Sequence, residues 1–123
     1  MGKRVLDVGN CGPDHAAIRK MLESSFGAEV VQAHDAADAL KHLRDQPFDL
    51  VLVNRKLDQD YSDGLDILKS IKADAALAKT PVMLITNYAD HQASAVAEGA
   101  EPGFGKLSLS APETIERLGK FLR

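Results

Sequence analysis

The chain has 123 residues, of which 45% are hydrophobic and 27% are charged, and its formal net charge is −3. These values predict a single folded domain over residues 1–123, and they argue against disorder and against a basic nucleic-acid-binding surface. The longest aliphatic runs span only four or five residues, too few for a membrane-spanning helix. With a single cysteine and no apolar leader at the amino terminus, the sequence predicts a cytoplasmic protein.

Strand-like and helix-like segments alternate along the chain. Apolar runs bounded by turn residues predict strands at 4–9, 28–33, 49–54, 81–86 and 103–106. Apolar residues at helical spacing predict helices at 13–27, 35–47, 63–72 and 90–98, and a last helix that follows a capping box at 110–113. This alternation predicts an α/β fold in which a doubly wound parallel sheet carries helices on both faces.

The third predicted strand ends at Asn54, after four consecutive aliphatic residues. Such a run suits a strand that is covered on both faces. In open α/β sheets the functional groups collect beyond the carboxyl ends of the strands, so Asn54 lies where a reactive side chain is expected. An amide is neither a nucleophile nor a titrating base, and it coordinates a hard cation only weakly. The central position of the candidate site therefore holds an unreactive residue.

This pattern resembles the receiver domain of two-component response regulators over nearly the whole chain. The resemblance is carried by the apolar strand ending at Asn54, the apolar strand ending at Thr86, and Gly99-Ala100 leading to Lys106. It implies the flavodoxin-like (βα)5 fold with strand order 2-1-3-4-5. In that family the first strand ends in an acidic pair that holds Mg²⁺, and the third ends in the aspartate that accepts a phosphoryl group. Thr86 and Lys106 match the hydroxyl and the lysine that end the family's fourth and fifth strands.

The family's three carboxylates are replaced in this chain. Asn10 takes one position of the acidic pair, with either Cys11 or Gly9 at the other, and Asn54 takes the phosphoacceptor position. Formation of an acyl phosphate needs a carboxylate nucleophile and a Mg²⁺ ion held by carboxylates. The resemblance therefore implies a degenerate receiver that is not an enzyme, is not phosphorylated, and has lost the family's Mg²⁺ site, so that no cofactor or metal is expected.

Several other polar residues could carry chemistry. Asp58, Asp60 and Asp63 follow Asn54 and could substitute for the lost acids, but their spacing is not that of a calcium loop, which favours a solvated acidic loop. Asp7 lies within a predicted buried strand and could be a relocated functional acid, but it is rather expected to pair with a basic residue or to reach the sheet end through a different strand register. Cys11 precedes a helix, yet no second cysteine could complete a redox pair. The histidines have no metal-ligand spacing and are predicted at the surface: His15, His34, His42 and His91.

The function that remains is binding through the surface. In the family, the face formed by the fourth helix, the fifth strand and the fifth helix engages partners, and here it is expected to include Asn87, Tyr88, Phe104 and Arg117. We therefore predict a signalling module with a protein partner such as a histidine kinase, another regulator or an output protein, without nucleic acid or membrane; a homodimer stays open. The alternative is a small-anion or nucleotide-binding domain that uses the turn from Gly9 to Gly12.

Overall fold

The computed structural model describes residues 2–123, and within them it contains five strands and five α-helices. In chain order the elements are β1 (Arg4–Val8), α1 (Gly12–Phe26), β2 (Glu29–Ala33), α2 (Ala36–Asp45), β3 (Leu50–Asn54), α3 (Gly64–Ala73), β4 (Val82–Ile85), α4 (Ala89–Ala97), β5 (Glu101–Phe104) and α5 (Pro112–Leu122). A short 3-10 helix, Lys106–Ser108, lies between β5 and α5. None of the helices in residues 2–123 is both long enough and apolar enough to cross a membrane.

The strands form one parallel sheet in the order β2-β1-β3-β4-β5. β3 lies in the middle, where Leu50 pairs with Val5 of β1 and Val51 pairs with Val82 of β4. This topology confirms the predicted flavodoxin-like (βα)5 fold. Because all the strands are parallel, their carboxyl ends meet at one edge of the sheet. We call this the carboxyl edge, and Asn54 lies on it.

Helices cover both faces of the sheet and create two apolar cores. Alternate strand residues point to opposite faces, so Leu6 and Val51 pack with α2, α3 and α4, whereas Val5 and Leu50 pack with α1 and α5. The aliphatic residues of β3 and β4 are all buried, which explains their continuous apolar runs. Complete burial of one such side chain stabilises the fold by about 1.5–3 kcal/mol, so these strands anchor the domain.

Three predicted helix boundaries coincide with structural signals. Gly27 follows α1 in a left-handed conformation with a φ of 63°, which favours glycine. Asp35 and Asp63 precede α2 and α3, and their carboxylates accept the backbone N–H groups of Asp38 and Leu65. Each aspartate thereby satisfies an N–H group that has no partner within its own helix.

The fifth strand lies two residues earlier than predicted, at Glu101–Phe104. The predicted strand began after Pro102, because proline is a poor strand residue, and it therefore missed the first two residues of β5. The ladder between β4 and β5 is irregular. The side chain of Gln92 in α4 bridges it, accepting from the Gly103 N–H at 2.9 Å and donating to the Leu84 carbonyl at 2.8 Å.

The predicted capping box at 110–113 is also wrong. Ala111 precedes α5, and no side chain caps the helix there. The 3-10 helix before it shifts the start of α5, so Ser110 lies one residue too early to cap. Pro112 at the first helical position has no N–H group that needs a partner, and the Thr114 hydroxyl instead donates to the Ser108 carbonyl at 2.7 Å.

Candidate functional site

Asn54 is held in place by the backbone of its own chain. Its side-chain nitrogen donates to the carbonyl of Gly9 at 3.2 Å and to the carbonyl of Lys56 at 2.7 Å, so both amide hydrogens are engaged. The opposite amide orientation would place an oxygen against two carbonyls. A Cβ atom at Gly64, the first residue of α3, would collide with the Asn54 carbonyl oxygen. Asn54 is therefore a fixed structural group with close packing around its backbone.

Thr86 follows β4 and is buried at the carboxyl edge. Its hydroxyl oxygen accepts from the Tyr88 N–H at 3.3 Å and lies 3.3 Å from Nδ1 of His91. The His91 ring in turn packs edge-on against the Tyr88 ring, with 5.3 Å between the centroids. The Thr86 hydroxyl is thus linked to the start of α4 through two neighbouring groups.

Lys106 begins the 3-10 helix after β5, and its ammonium group donates to Oδ2 of Asp14 at 2.7 Å. This hydrogen bond is the main reason why the pKa of Asp14 is lowered, and the Cys11 thiol contributes a smaller part. A carboxylate therefore lies beside the lysine, although the family's three carboxylates are replaced. Asp14, in the first turn of α1, supplies one from a different element.

Asn10 and Asp7 belong to a buried polar network beneath the carboxyl edge. Nδ2 of Asn10 donates to Oδ1 of Asp7 at 2.5 Å, and Nδ1 of His15 lies 2.7 Å from Oδ2 of the same carboxyl. Burial raises the pKa of Asp7, while the hydrogen bonds from His15 and Asn10 and the charge of Lys106 act against that rise. The predicted pairing of Asp7 with a basic residue is confirmed. The predicted surface position of His15 is wrong, because its side chain is only 13% exposed.

The turn from Gly9 to Gly12 is occupied by its own chain. Gly9 has a φ of 78°, and a Cβ atom there would press into the Leu57 side chain. Its carbonyl accepts from the Asp58 N–H at 2.9 Å as well as from Asn54. Cys11 is half-buried and precedes α1 without a side-chain capping bond. The Gly9 N–H donates to the Ala33 carbonyl at 2.9 Å, so this N–H group of the turn is not free to bind an anion.

A cleft of about 410 Å³ opens at the carboxyl edge beside β3 and β4. Three of the predicted site residues, Asn54, Thr86 and Lys106, line it, whereas Asn10 and Cys11 do not. The other lining residues are Arg55, Lys56, Ile85, Asn87, Tyr88 and His91. Three of the nine side chains are cationic at neutral pH and none is a carboxylate, so the lining carries positive charge.

The acids that follow Asn54 have structural roles. The Asp63 carboxylate caps α3, and the Asp60 carboxylate accepts from both the hydroxyl and the N–H of Ser62, at 2.6 and 3.0 Å. Those bonds lower the pKa of Asp60. Asp58 is exposed, and none of these three acids lines the cleft. The arrangement matches a solvated loop.

The residues at the family's metal-binding positions fit a magnesium ion poorly. Asn10 directs its amide nitrogen to Asp7, and its amide oxygen is buried without a hydrogen-bond partner among residues 2–123. Asn54 offers only a neutral oxygen. A rigid hard cation such as Mg²⁺ prefers anionic oxygens. Residues 2–123 bring no three His, Cys, Asp or Glu residues into an arrangement that could hold a metal ion.

The predicted partner face is only partly available for contact. Tyr88 is 65% exposed and Asn87 is exposed, although the Asn87 side chain accepts from the Leu107 N–H at 3.2 Å. Phe104 is only 3% exposed and packs in the core with α1 and α5, so its expected place on the surface is wrong. Arg117 is half-buried and donates to the Gly103 carbonyl at 2.6 Å.

Comparison with known proteins identifies the family. The sequence model of the response regulator receiver domain matches residues 14–106. This chain belongs to the response regulator receiver family. The match begins at Asp14, after β1 and its turn, so the matched part of this receiver leaves out the positions where the family's acidic pair is expected.

Related proteins agree with this assignment. The transcriptional regulatory protein ZraR of Klebsiella oxytoca is 31% identical over 109 residues, which are 82% of this chain but only 24% of that protein. The polar-differentiation response regulator DivK of Brucella ovis is 26% identical over 123 residues, covering 99% of this receiver and 98% of DivK. The receiver domain of a DNA-binding response regulator from Colwellia psychrerythraea has a TM-score of 0.82 at 25% identity, over 96% of both chains.

The family defines the general function. Receiver domains are signalling modules of two-component systems rather than enzymes, and they interact with kinases or with other regulators. These similarities favour a receiver over a nucleotide-binding domain that uses the turn from Gly9 to Gly12.

Sequence reasoning missed three residues that contribute to the site: Asp14, His15 and His91. For His15 a signal was present, because an acid within a buried strand requires a partner and α1 follows β1 directly. For Asp14 and His91 no local pattern indicated the contact, since each depends on how a helix start approaches the carboxyl edge.

Proposed function

We propose that this receiver is a protein-interaction module in signalling that acts without being phosphorylated. The observation that carries this proposal is Asn54, an amide at the end of β3 whose hydrogens are engaged by the carbonyls of Gly9 and Lys56. An amide nitrogen is not a nucleophile toward phosphorus, and acyl-phosphate formation requires a carboxylate. Asn54 therefore lacks the nucleophile that phosphotransfer to this position requires.

Two further observations support the loss of phosphate chemistry. Neither Asn10 nor Asn54 supplies an anionic oxygen for Mg²⁺, so we propose that the domain works without a metal or another cofactor. Lys106 is paired with Asp14 at 2.7 Å, so its charge is partly neutralised by the chain itself. The residues that would hold and neutralise a phosphoryl group thus have other roles.

The partner is proposed to be a protein: a histidine kinase, another regulator or an output protein. Residues 1–123 would act as one cytoplasmic receiver unit, alone or as a homodimer, and would bind neither nucleic acid nor membrane. Exposed Tyr88 and Asn87, beside half-buried Arg117, support contact near the start of α4. The net charge of −3 agrees with a protein partner rather than a nucleic acid.

Phosphorylation is tested by incubating the native chain with acetyl phosphate and Mg²⁺ and measuring its intact mass. A receiver that carries an aspartate at the end of its third strand serves as the positive control, and Asn54→Asp as the matched variant. We expect no adduct on the native chain. An adduct on Asn54→Asp alone would locate the loss at this position, whereas a phosphoryl group on the native chain would overturn the proposal.

A further inference from the structure

The rim of the cleft carries an unusual share of exposed apolar surface. Tyr61 is 72% exposed, Tyr88 is 65% exposed and Leu107 is 88% exposed. They belong to three different segments, which follow β3, β4 and β5, and all three segments lie at the carboxyl edge. Among residues 2–123 only one other large apolar side chain is exposed, Val96, and its exposed fraction is lower at 44%. Tyr61 lies beside Lys56 and Leu107 beside Asn87, and both of these neighbours line the cleft. Exposed apolar side chains around one cleft are typical of a surface that is covered by a partner.

The charges inside this rim are unevenly neutralised. Lys106 has Asp14 at 2.7 Å, and Arg55 has Asp63 at 4.0 Å. Lys56 has no carboxylate within 4.0 Å in the described part of the chain, and its ammonium group instead lies 5.5 Å from the centre of the Tyr61 ring. The ring attracts the ammonium group without neutralising its charge, and exposed Lys56 can still pair with a carboxylate of a partner.

We infer that the cleft and its rim, defined by Lys56, Tyr61, Tyr88 and Leu107, bind an acidic segment of a protein partner. A carboxylate side chain of that segment pairs with Lys56, and its apolar neighbours cover Tyr61, Tyr88 and Leu107. This inference rests on the proposed function and deepens it, because it names a binding surface and the chemistry of the partner.

A peptide segment fits these observations better than a small anion does. An inorganic anion would account for the cationic lining but would leave the apolar rim in water. Two of the groups that could hold such an anion are also engaged elsewhere, since the Asn54 amide donates to two carbonyls and Lys106 is bound to Asp14. A segment that joins carboxylate and apolar side chains satisfies both features of the surface.

The surface differs from the partner face expected from the family resemblance. Asn87 and Tyr88 are common to both, whereas Phe104 is buried and Arg117 donates to the Gly103 carbonyl. Binding would therefore centre on the loop after β3 and on the 3-10 helix after β5 rather than on α4 and α5.

The test is a titration of the isotope-labelled full chain, followed by amide chemical shifts, with a short synthetic peptide of alternating Glu and Leu. A peptide with Gln in place of Glu is the ligand control. Lys56→Glu is the test variant and Lys41→Glu its matched control, because Lys41 is an exposed lysine of α2 outside the cleft. We expect shifts around Lys56, Tyr61 and Leu107 and an affinity weakened roughly three- to tenfold in Lys56→Glu alone, with a further decrease at high salt.

Three results would overturn the inference. Equal binding of the Glu and Gln peptides, or no binding of either, would show that the surface does not recognise an acidic segment. Shifts confined to α4, β5 and α5 would move the surface to the other face while leaving the proposed function in place. Shifts of the Lys56 region with inorganic phosphate but not with the peptide would make the cleft a small-anion site. The phosphorylation assay decides the proposed function separately.

Discussion

Two polar regions at the carboxyl edge contrast in how their charges are satisfied. Beneath β1 and α1, Asp7 is buried and bonded to both Asn10 and His15. In the open cleft, Lys56 is exposed and has no carboxylate within 4.0 Å among residues 2–123. A buried charge without a partner is costly, whereas an exposed one is solvated by water. The buried acid of this receiver is satisfied by contacts within the fold, whereas the charge of Lys56 is left to solvent or, as we propose, to an acidic partner.

The largest effect on stability is expected when His15, one of the two partners of Asp7, is removed. We expect His15→Ala to lower the free energy of unfolding by about 2 kcal/mol, because a buried carboxyl loses a hydrogen bond that nothing replaces. Urea unfolding monitored by circular dichroism measures the change.

The control is His34→Ala, which removes an exposed histidine and should cost less than about 0.5 kcal/mol. In an Asp7→Asn background, His15→Ala should cost less than in the native chain, since a neutral amide depends less on the imidazole. Equal losses for His15→Ala and His34→Ala would show that the buried pair contributes nothing.

The pH dependence of the free energy of unfolding tests how burial affects Asp7. The raised pKa of Asp7 means that the folded chain keeps a proton above pH 3.8, the ordinary value at which the unfolded chain releases it. Between the pKa of Asp7 in the unfolded chain and its higher pKa in the folded chain, the contribution of Asp7 to the free energy of unfolding falls as pH rises. Asp7→Asn removes this dependence, so the variant should gain stability relative to the native chain as pH rises and then stay level.

Urea unfolding of both chains between about pH 3 and pH 8 measures this difference, over a range that brackets the titration of ordinary carboxyl groups and histidines. Parallel stability curves for native and Asp7→Asn would contradict the prediction. A gain at low pH instead would mean that the hydrogen bonds from His15 and Asn10 outweigh burial.

The smallest effects belong to the cleft. Lys56→Met should change the free energy of unfolding by less than about 0.5 kcal/mol, because an exposed lysine without an ion pair contributes little. Lys106→Met loses the contact with Asp14 and should cost somewhat more, up to about 1 kcal/mol. Thermal unfolding of the two variants side by side gives the comparison, and a larger loss for Lys56→Met would contradict the assignment of Lys56 to binding.

The fold was predictable where burial leaves a clear pattern. The aliphatic runs of β3 and β4 predicted two central strands because only a strand covered on both faces tolerates such runs. β5 was misplaced because Pro102 is unfavourable in a strand, and its pairing depends on the tertiary contact with Gln92. Local preference was overridden there by a side chain from a helix.

The site residues at the ends of strands were predictable, but the contacts that they make with other elements were not. Asn54, Thr86 and Lys106 could be placed because strand ends share one edge of the sheet. The pairing of Lys106 with Asp14 joins residues 92 positions apart, and it depends on the angle at which α1 leaves the edge. No spacing in the sequence encodes that angle, so a carboxylate was overlooked beside the lysine.

The pairing of β5 at the edge of the sheet depends on the side chain of Gln92 in α4. The Gly103 amide hydrogen is bonded to the Gln92 side chain, whereas the neighbouring Thr86 N–H is bonded to a β5 carbonyl, that of Phe104. Exchange of the Gly103 hydrogen with solvent is therefore slowed only while α4 stays docked, and any event that lifts α4 also exposes the backbone of β5. The docking of α4 thereby controls how long the amide hydrogen of Gly103 stays protected from water.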